Sequence, residues 1–368
     1  MKRICHLRNL HRVTYENGMQ MQETLVGLRQ RDEIPDQLLL LEHPPVITLG
    51  RGGDRNNLLA DAAELITRGV RFYETTRGGD ITYHGPGQIM GYPIIHMGEG
   101  NRDVRKYVTR LEEVLIRTLA EYGVAAQRQD GRRGVWVGNE KVAAIGVRIA
   151  KWVTSHGFAL NVSSALDHFS LITPCGLRGT GVTSVQRLTG RDIQTDEVRV
   201  ALGRTFAEIF ERELVDREHD MRIVKVVAHD QERVLLLHRR NGDFWQPVTG
   251  RIEGEETAQA AARRELMEES GLEGLISTPQ LRQSFLISDE FLAQASRQPC
   301  FVDETTFGAR VSREQPVRLD QEEHDGHGWF TFEEAYAKMR WSDDRDSLEQ
   351  IQKSLARSFP IDVMANHL

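Results

Sequence analysis

The chain has 368 residues, roughly twice the size of a common domain, so its length predicts two domains. Hydrophobic residues make up 39% and charged residues 27%, a balance that excludes disordered and fibrous classes. The net charge of −7 is uneven, because residues 1–217 hold 29 basic and 26 acidic residues whereas the remainder holds 18 and 28. No apolar run approaches the roughly 20 residues of a membrane span, so we expect no transmembrane helix.

The N-terminal segment and the cysteines predict a cytoplasmic location. The basic start Met1–His6 is followed by Leu7-Arg8-Asn9 instead of the apolar core of a secretory signal. Cys5, Cys175 and Cys300 lie far apart, without the paired spacing of a zinc site or the density of a disulfide framework. We expect neither a membrane nor a nucleic acid as a partner.

Short β-like runs mix irregularly with helical stretches over residues 1–217, which is typical of an α+β fold. The apolar face of the segment Val104 to Tyr122 predicts a helix packed on a sheet. A second predicted helix, Asp196 to Leu214, precedes a polar stretch and a strand signal from Ile223 to Ala228. We therefore predict domains at 1–217 and 218–368. The predicted strands of the first domain are 37–42, 46–49, 89–95, 134–137, 141–149 and 157–162.

Three segments of the first domain carry candidate functional residues. Five glycines or prolines between Arg77 and Gln88 let the backbone approach a ligand closely, although the same composition fits a turn-rich hairpin. Lys141 lies in an otherwise apolar strand, where burial disfavours its charged form unless it reaches solvent or acts chemically. Cys175 lies between a proline and a glycine in a turn that can expose a thiol, whereas a lone cysteine is more often buried.

In chain order, these segments resemble the lipoyl(octanoyl) transferase family. The resemblance covers nearly all of residues 1–217. It implies a biotin and lipoate protein ligase-like α+β domain that transfers octanoyl from acyl carrier protein to a lysine of lipoyl domains. The motifs that carry it are His43-Pro44-Pro45, Thr48 to Gly52, Arg77-Gly78-Gly79, Thr82, His84, Gly87-Gln88, Trp136, Lys141, Ala144-Ile145-Gly146, His156 to Val162 and Pro174-Cys175-Gly176.

The resemblance also implies a catalytic dyad of Cys175 and Lys141. The carrier thioester would pass octanoyl to Cys175 as a second thioester of similar energy, so neither a nucleotide nor a cofactor is expected. Lys141 would favour the thiolate and, once deprotonated, accept a proton from the incoming amine. The alternative is a lipoate-protein ligase, which needs ATP. The implied substrate-binding residues are Arg77, Gly78, Gly79, Asp80, Ile81, Thr82, Tyr83, His84, Ala144, Ile145, Gly146, Gly157, Phe158 and Ala159.

The charge of this half bears on its partners. Acyl carrier proteins and lipoyl domains are acidic as families, and a basic docking face would speed their encounter with the enzyme. The small positive balance over residues 1–217 fits such a face, although ordinary scatter in composition explains it equally well.

The second half contains the pattern Gly250-x5-Glu256-x7-Arg264-Glu265-Leu266-x-Glu268-Glu269-x-Gly271-Leu272. Strong helix formers predict a helix from Thr257 to Glu269 that stops at Gly271. Glu265, Glu268 and Glu269 fall at i, i+3 and i+4, so they share one face, where like charges repel and the helix dipole opposes them. A site for Mg²⁺ or Mn²⁺ with oxygen ligands resolves this conflict, which a merely acidic surface helix does not.

The same pattern matches the Nudix box, Gx5Ex7REUxEExGU with U aliphatic, at every specified position. The second half is thereby identified as a Nudix domain, which implies an α/β/α sandwich and metal-dependent hydrolysis of a nucleoside diphosphate linked to another group. Family membership implies Glu265, Glu268 and Glu269 as metal ligands or base. It implies supporting roles for Gly250, Glu256, Arg264 and Gly271, and Glu323 is a further candidate carboxylate.

The sequence specifies the nucleotide substrate less closely than the type of reaction. The segment Val234 to Gly250 is similar to dihydroneopterin triphosphate pyrophosphatases and related nucleotide-triphosphate members of the family. Its aromatic pair, Phe244-Trp245, either stacks a base or packs in the core. The sequence thus predicts a bifunctional enzyme. The alternative for the second half is a ligand-sensing module without turnover.

Overall fold

The computed structural model describes residues 2–100, 102–174, 180–240, 242–287 and 299–358. The chain forms two compact units, residues 1–218 and 219–368. Both units mix helices with sheets, which confirms the predicted α+β class. In the described ranges, no helix is both long enough and apolar enough to cross a membrane.

The first unit is built on one large sheet and one small sheet. Its strands are β1 (Arg3–Arg12), β2 (Asp36–Glu42), β3 (Val46–Leu49), β4 (Arg71–Glu74), β5 (Ile81–His84), β6 (Gln88–Ile94), β7 (Gln127–Gln129), β8 (Arg132–Val137), β9 (Glu140–Ala150), β10 (Val153–Asn161), β11 (Gly181–Val182) and β12 (Arg212–Asp216). Its helices are α1 (Tyr15–Gln30), α2 (Ala62–Thr67), α3 (Val104–Glu121), α4 (Val185–Thr189) and α5 (Thr195–Ile209).

The large sheet has the order β12-β1-β2-β6-β10-β9-β8-β7 within this unit. The first three strands are parallel to one another, and the others pair antiparallel. Side chains alternate between the two faces, so Leu38 and Leu40 of β2 join the core beneath α3 and α5. Strand β11 pairs in parallel with the beginning of β9, at Glu140 and Lys141.

The small sheet has the order β4-β3-β5 and its own hydrophobic core. Strand β3 runs parallel to β4 and antiparallel to β5, with Thr48 opposite Thr82. The glycine-rich segment leads into β5 and lies next to β9 of the large sheet. The Gly78 amide donates to the carbonyl of Val147 in β9 at 3.0 Å.

The predicted helix from Asp196 to Leu214 is too long at its C-terminus. Helix α5 ends at Ile209, and Glu211 adopts a left-handed φ of 54° that turns the chain. Leu214 instead lies in β12, opposite Cys5 of β1. Ile209 and Phe210 at the end of α5 and Leu214 in β12 therefore pack against the same core although they belong to two different elements.

The second unit is a sheet between two helical layers. Its strands are β13 (Met221–His229), β14 (Arg233–Arg239), β15 (Phe244–Gln246), β16 (Val248–Arg251), β17 (Leu275–Ile276), β18 (Leu281–Leu286), β19 (Phe301–Arg310) and β20 (His324–Thr331). Its helices are α6 (Ala258–Ser270), α7 (Phe332–Lys338) and α8 (Ser342–Ser358). Val226 of β13 packs in the core that contains α6, whereas the next residue, Val227, packs in the core that contains α7 and α8. This alternation produces the predicted α/β/α sandwich.

Candidate active sites

A cavity of about 380 Å³ lies in the first unit, between the glycine-rich segment and strands β9 and β10. Thirteen of the fourteen predicted substrate-binding residues line it, as does Lys141. Residues that the sequence did not single out also contribute, including Tyr15, Arg132 and Arg133. The cavity therefore gathers predicted residues from as far apart in the chain as Arg77 and Ala159.

Tyr83 is the predicted residue that the cavity does not include. Its side chain is buried in the core of the small sheet, where its ring centroid lies 5.1 Å from that of His168 and 5.4 Å from that of Phe169. The reason is the alternation of a strand: Thr82 and His84 on either side of it line the cavity, so Tyr83 points to the other face.

Hydrogen bonds tie the cationic and imidazole groups of the cavity together. Arg77 Nη2 donates to the carbonyl and hydroxyl oxygens of Thr48 at 2.6 and 2.8 Å. The Thr48 hydroxyl lies 3.4 Å from His84 Nε2, and His84 Nδ1 donates to Gln88 Oε1 at 2.7 Å. His84 is thereby held with its proton on Nδ1 and an acceptor at Nε2.

The same chain of hydrogen bonds continues toward Lys141. Gln88 Nε2 donates to Asn161 Oδ1 at 2.7 Å, and Asn161 Nδ2 donates to the carbonyl of Thr183 at 3.0 Å. The Thr183 amide in turn donates to the carbonyl of Lys141 at 3.0 Å. Gln88 and Asn161 belong to the motifs of the family resemblance but were not predicted as site residues, because pairing across 73 positions leaves no local signal.

Three buried histidines around this cavity are neutral at physiological pH. Burial lowers the pKa of His43 to about 4 and that of His156 to about 4. Burial, together with the charge of Arg77, lowers the pKa of His84 to about 3. His84 and His156 thus line the cavity as neutral imidazoles beside the guanidinium of Arg77.

A glycine allows the close packing of the cavity walls. A Cβ atom on Gly146 of β9 would lie 2.8 Å from the carbonyl oxygen of Gly78. That distance is below van der Waals contact, so only glycine lets β9 approach the glycine-rich segment at this position.

Lys141 lies on the wall of this cavity, and its Nζ is 4.7 Å from the ring centroid of Trp136. Cys175 lies outside the described residues. The described residues on either side of it, Pro174 and Thr180, both line the same cavity as Lys141. Of the other thiols, Cys5 is buried in the core, and burial raises its pKa far above the ordinary range.

The second site lies in the second unit, at the Nudix pattern. Helix α6 begins after Thr257, whose hydroxyl accepts from the Ala260 amide, and ends at Ser270 before Gly271. A Cβ atom on Gly250 would lie 1.7 Å from the carboxyl carbon of Glu265, so this glycine provides the space that the carboxylate fills.

Arg264 joins the helix to the preceding loop. Its guanidinium binds Glu256 at 2.6 Å and the carbonyl of Arg251 at 2.8 Å. It also binds Glu265 at 2.8 Å and Glu268 at 2.9 Å. One cation therefore offsets much of the repulsion between the helix carboxylates and holds the loop against the helix.

A cluster of possible metal ligands includes two of the carboxylates that the sequence analysis named, Glu269 and Glu323. Glu269, Glu323 and His324 each offer a ligand atom, and these atoms lie within 4.8 Å of one another. Burial raises the pKa of Glu269, as it does that of Glu265. A divalent cation would offset these buried negative charges, so the residues fit such an ion. His324 was not predicted, although it follows Glu323 directly in the sequence.

The aromatic pair of the second unit divides between two environments. Phe244 is buried, with its ring centroid 4.4 Å from that of Trp341. Trp245 is half-buried and packs against Phe330, with Lys338 Nζ 5.3 Å from its ring centroid. Phe244 thus has a core role, whereas Trp245 keeps part of its surface accessible.

Comparison with known proteins identifies both units. Residues 14–207 match the family model of the lipoyl protein ligase A/B catalytic domain, and residues 219–351 match that of the NUDIX domain. The chain is 41% identical over 353 residues to an octanoyltransferase of Myxococcus xanthus, a match covering 93% of this chain and 97% of that protein. An octanoyltransferase of Solibacter usitatus is 50% identical over 213 residues, covering 58% of this chain and 96% of that protein.

Among solved structures, the dihydroneopterin triphosphate pyrophosphohydrolase of E. coli is 28% identical with a TM-score of 0.31, covering 36% of this chain and 95% of that one. The tandem family matches and the Myxococcus relative confirm the identification of both halves from the sequence, with transferase and Nudix hydrolase activities as predicted. The chain belongs to the octanoyltransferase family, with a Nudix hydrolase domain following its transferase domain.

Proposed function

We propose that the first unit transfers octanoyl from acyl carrier protein to a lysine of lipoyl domains through a thioester on Cys175. The observation that carries this proposal is the cavity: Lys141 and the described residues that flank Cys175 all line it. The predicted substrate-binding residues around it, including Gly146, Gly157 and Ala159, leave room for an acyl chain.

The proposed reaction has two steps. The Cys175 thiolate attacks the carrier thioester, forming a new acyl–sulfur bond and breaking the acyl bond to the carrier sulfur, and the departing carrier thiolate takes a proton from the Lys141 ammonium. The acceptor lysine amine then attacks the Cys175 thioester, forming an amide and releasing Cys175. Lys141 stabilises the thiolate as an ammonium in the first step and, as a neutral amine, takes the proton of the attacking amine in the second. No step consumes ATP, which separates this proposal from the ligase alternative.

Substitution of Cys175 tests the covalent step. In Cys175→Ser we expect no octanoyl adduct by intact-protein mass spectrometry and no ATP-free transfer, because a hydroxyl is a far weaker nucleophile at neutral pH. Lys141→Ala should slow transfer by roughly 10²- to 10⁴-fold, the usual contribution of a general base. Cys300→Ser is the matched control and should retain full activity. Transfer by Cys175→Ser at the normal rate, or a strict need for ATP, would contradict the mechanism.

We also propose a docking surface for the acidic carrier protein. A groove of about 500 Å³ in the first unit is lined by five basic residues and one acidic residue, Glu211. The basic residues are Lys2, Arg3, Lys106, Arg110 and Arg212. Helix α3 connects this groove to the acyl cavity, since Lys106 and Arg110 line the groove while Val108 lines the cavity.

For the second unit, we propose metal-dependent hydrolysis of a nucleoside diphosphate linked to another group, with Mg²⁺ or Mn²⁺ as the ion. Convergence of Glu269 from α6 and Glu323 from the loop before β20 supports it. Glu265, Glu268 and Glu269 are the proposed ligands or base, and Arg264 with Glu256 holds their loop. When bound, the ion supplies positive charge to the pyrophosphate oxygens and lowers the pKa of a bound water. The segment Val234 to Gly250 favours a dihydroneopterin triphosphate-like nucleotide as the substrate.

A hydrolysis screen of the full chain tests this proposal. With Mg²⁺ and a panel of pterin, nucleoside, sugar-nucleotide and coenzyme A diphosphates, we expect turnover of at least one compound that Glu269→Gln abolishes. Glu314→Gln removes an exposed carboxylate outside the Nudix pattern and should leave turnover unchanged. Binding of a nucleotide without hydrolysis would instead favour the sensing module.

A further inference from the structure

His324, the first residue of β20, is fully buried, and neither of its ring nitrogens has a hydrogen-bond partner. Buried polar atoms are nearly always paired, because an unpaired one loses the hydrogen bonds that water would supply. The ring nitrogen Nε2 lies 3.4 Å from Oε2 of Glu269. An unpartnered imidazole therefore faces a buried carboxylate of the Nudix helix.

The separation between these two atoms bears on whether His324 is a hydrogen-bond donor to Glu269 or a metal ligand beside it. A hydrogen bond between a ring N–H and a carboxylate is about 2.7–2.9 Å long, which is shorter than the separation here. Two neighbouring ligand atoms on an octahedral ion with bonds of about 2.1 Å lie about 3 Å apart. At 3.4 Å the two atoms are farther apart than in a charge-assisted hydrogen bond, and their spacing is compatible with two neighbouring ligands of one ion.

Glu323 supplies a third donor from the same turn. Arg239 binds Oε2 of Glu323, which leaves Oε1 as an available ligand atom. The amides of Glu323 and His324 both donate to the carbonyl of Asp320, at 3.3 and 2.9 Å, so a tight turn fixes the two side chains relative to each other. The two carboxylates supply a charge of about −2, to which an imidazole that binds a metal adds none, and this charge matches a divalent cation.

We propose that Glu269, Glu323 and His324 bind one divalent cation through two oxygens and one imidazole nitrogen, and that the nitrogen makes the site prefer a first-row transition ion to Mg²⁺. Mg²⁺ strongly favours oxygen ligands, whereas imidazole suits first-row transition ions such as Fe²⁺, Ni²⁺ and Zn²⁺. Mn²⁺ is the weakest binder of that series and mainly takes oxygen ligands, but it accepts an imidazole more readily than Mg²⁺ does and is detected by electron paramagnetic resonance. The inference rests on the metal dependence proposed for the second unit and adds a nitrogen ligand that determines which ion is held.

Pulsed electron paramagnetic resonance on the full chain tests the nitrogen ligand directly. The protein is stripped of metal with a chelator and given one equivalent of Mn²⁺. We expect a ¹⁴N coupling from a directly bound imidazole. This measurement needs no substitution, so its absence from the unchanged protein overturns the proposal whether or not any variant folds.

Substitution then assigns the nitrogen to His324. His324→Gln replaces the nitrogen donor with an amide oxygen, so we expect the ¹⁴N coupling to vanish. Mn²⁺ affinity, measured by calorimetry, should fall at least about tenfold while Mg²⁺ affinity changes little. His327→Gln, an exposed position on the same strand, is the matched control and should change neither quantity. Coupling that persists in His324→Gln, or an unchanged preference for Mn²⁺, overturns the proposal.

These measurements separate the inference from the proposed hydrolase. If the nucleotide screen finds no turnover but the His324-dependent Mn²⁺ coupling is present, hydrolysis fails while the nitrogen ligand is upheld. If turnover occurs with Mg²⁺ and no nitrogen coupling is found, hydrolysis is upheld and the nitrogen ligand fails.

Discussion

At the scale of single residues, polar side chains buried around the acyl cavity act as a connected set. Arg77 and Thr48 are joined through His84 and Gln88 to Asn161. Each side chain is a hydrogen-bond partner of the next, so these polar groups can be buried without a large loss of stability. The arrangement holds only while the imidazoles are uncharged, and this makes the first unit sensitive to acid.

We predict that the stability of the first unit falls between about pH 6.5 and pH 4. His43, His84 and His156 have pKa values near 3 to 4 when folded, whereas an unfolded histidine titrates near 6.5. In this window the unfolded chain binds protons that the folded unit does not, so the free energy of unfolding decreases as pH falls. Each histidine contributes up to about 1.4 kcal/mol per pH unit, or about 4 kcal/mol per pH unit for all three.

Hydrogen exchange of amides in β2, β6 and β10, measured by mass spectrometry and corrected for intrinsic rates, checks this slope. His43→Gln can still donate to the Val13 carbonyl and accept from the Tyr92 hydroxyl, and should lower the slope by about a third. His327→Gln in the second unit should not alter it. An equal slope in His43→Gln would show that other groups cause the acid sensitivity.

At the scale of elements, the sequence predicted the helices whose apolar pattern and end residues indicate the same boundaries. Helix α3 is predicted at 104–122 and observed at Val104–Glu121, and α6 is predicted at 257–269 and observed at Ala258–Ser270. Helix α1 was not predicted, because its buried face includes Gly18 and Gln22 and is only weakly apolar. Gln22 is buried because its Oε1 accepts from the His156 amide at 2.6 Å, a contact across 134 positions that no local pattern reports.

In the candidate sites too, the sequence predicted what local motifs specify and missed what long-range contacts bring together. All but one of the substrate-binding residues that the motifs implied line the proposed acyl cavity, because the spacing of those motifs is specific to a family; the exception is Tyr83. The motifs indicated Glu323 as a further carboxylate but did not predict His324 beside Glu269, since that depends on how β20 pairs with β14. The sequence predicted the motif residues themselves but not the residues that contact them in the folded chain.

The contact between β16 and α6 gives an element-scale prediction. In Gly250→Ala, the new methyl would occupy the position of the Glu265 carboxylate, 1.7 Å from its carboxyl carbon. We expect Glu265 to be displaced, with a loss of about 1–3 kcal/mol in stability from overpacking. Metal affinity, measured by calorimetry, should fall together with any nucleotide hydrolysis.

Gly27→Ala is the matched control for this substitution. Gly27 lies in α1, where a Cβ atom would come no closer than 3.4 Å to a non-neighbouring atom. Alanine should slightly stabilise that helix and leave metal binding unchanged. Normal metal affinity in Gly250→Ala would mean that the Glu265 position does not contribute to the ion site.

At the scale of the whole molecule, the net charge of −7 is the sum of two different units. Residues 1–217 carry a slight positive balance, and five basic residues line one groove beside α3. The acidic excess lies in the second half, which includes the carboxylates of the Nudix helix. A single pI therefore describes neither unit, and the partners of each should respond to its own charge.

We predict that charge reversal in the basic groove slows transfer from acyl carrier protein. Lys106→Glu with Arg110→Glu should lower kcat/KM for the carrier by about 10-fold or more at low salt, because electrostatic attraction mainly speeds encounter. Steady-state kinetics at several salt concentrations should show that this difference shrinks as salt rises. Transfer from a small octanoyl thioester without a carrier protein should keep its normal rate, because the acyl cavity is unaltered. Arg191→Glu, an exposed position of the same unit outside the groove, should cost far less, and an equal loss there would indicate a general charge effect in place of a docking surface.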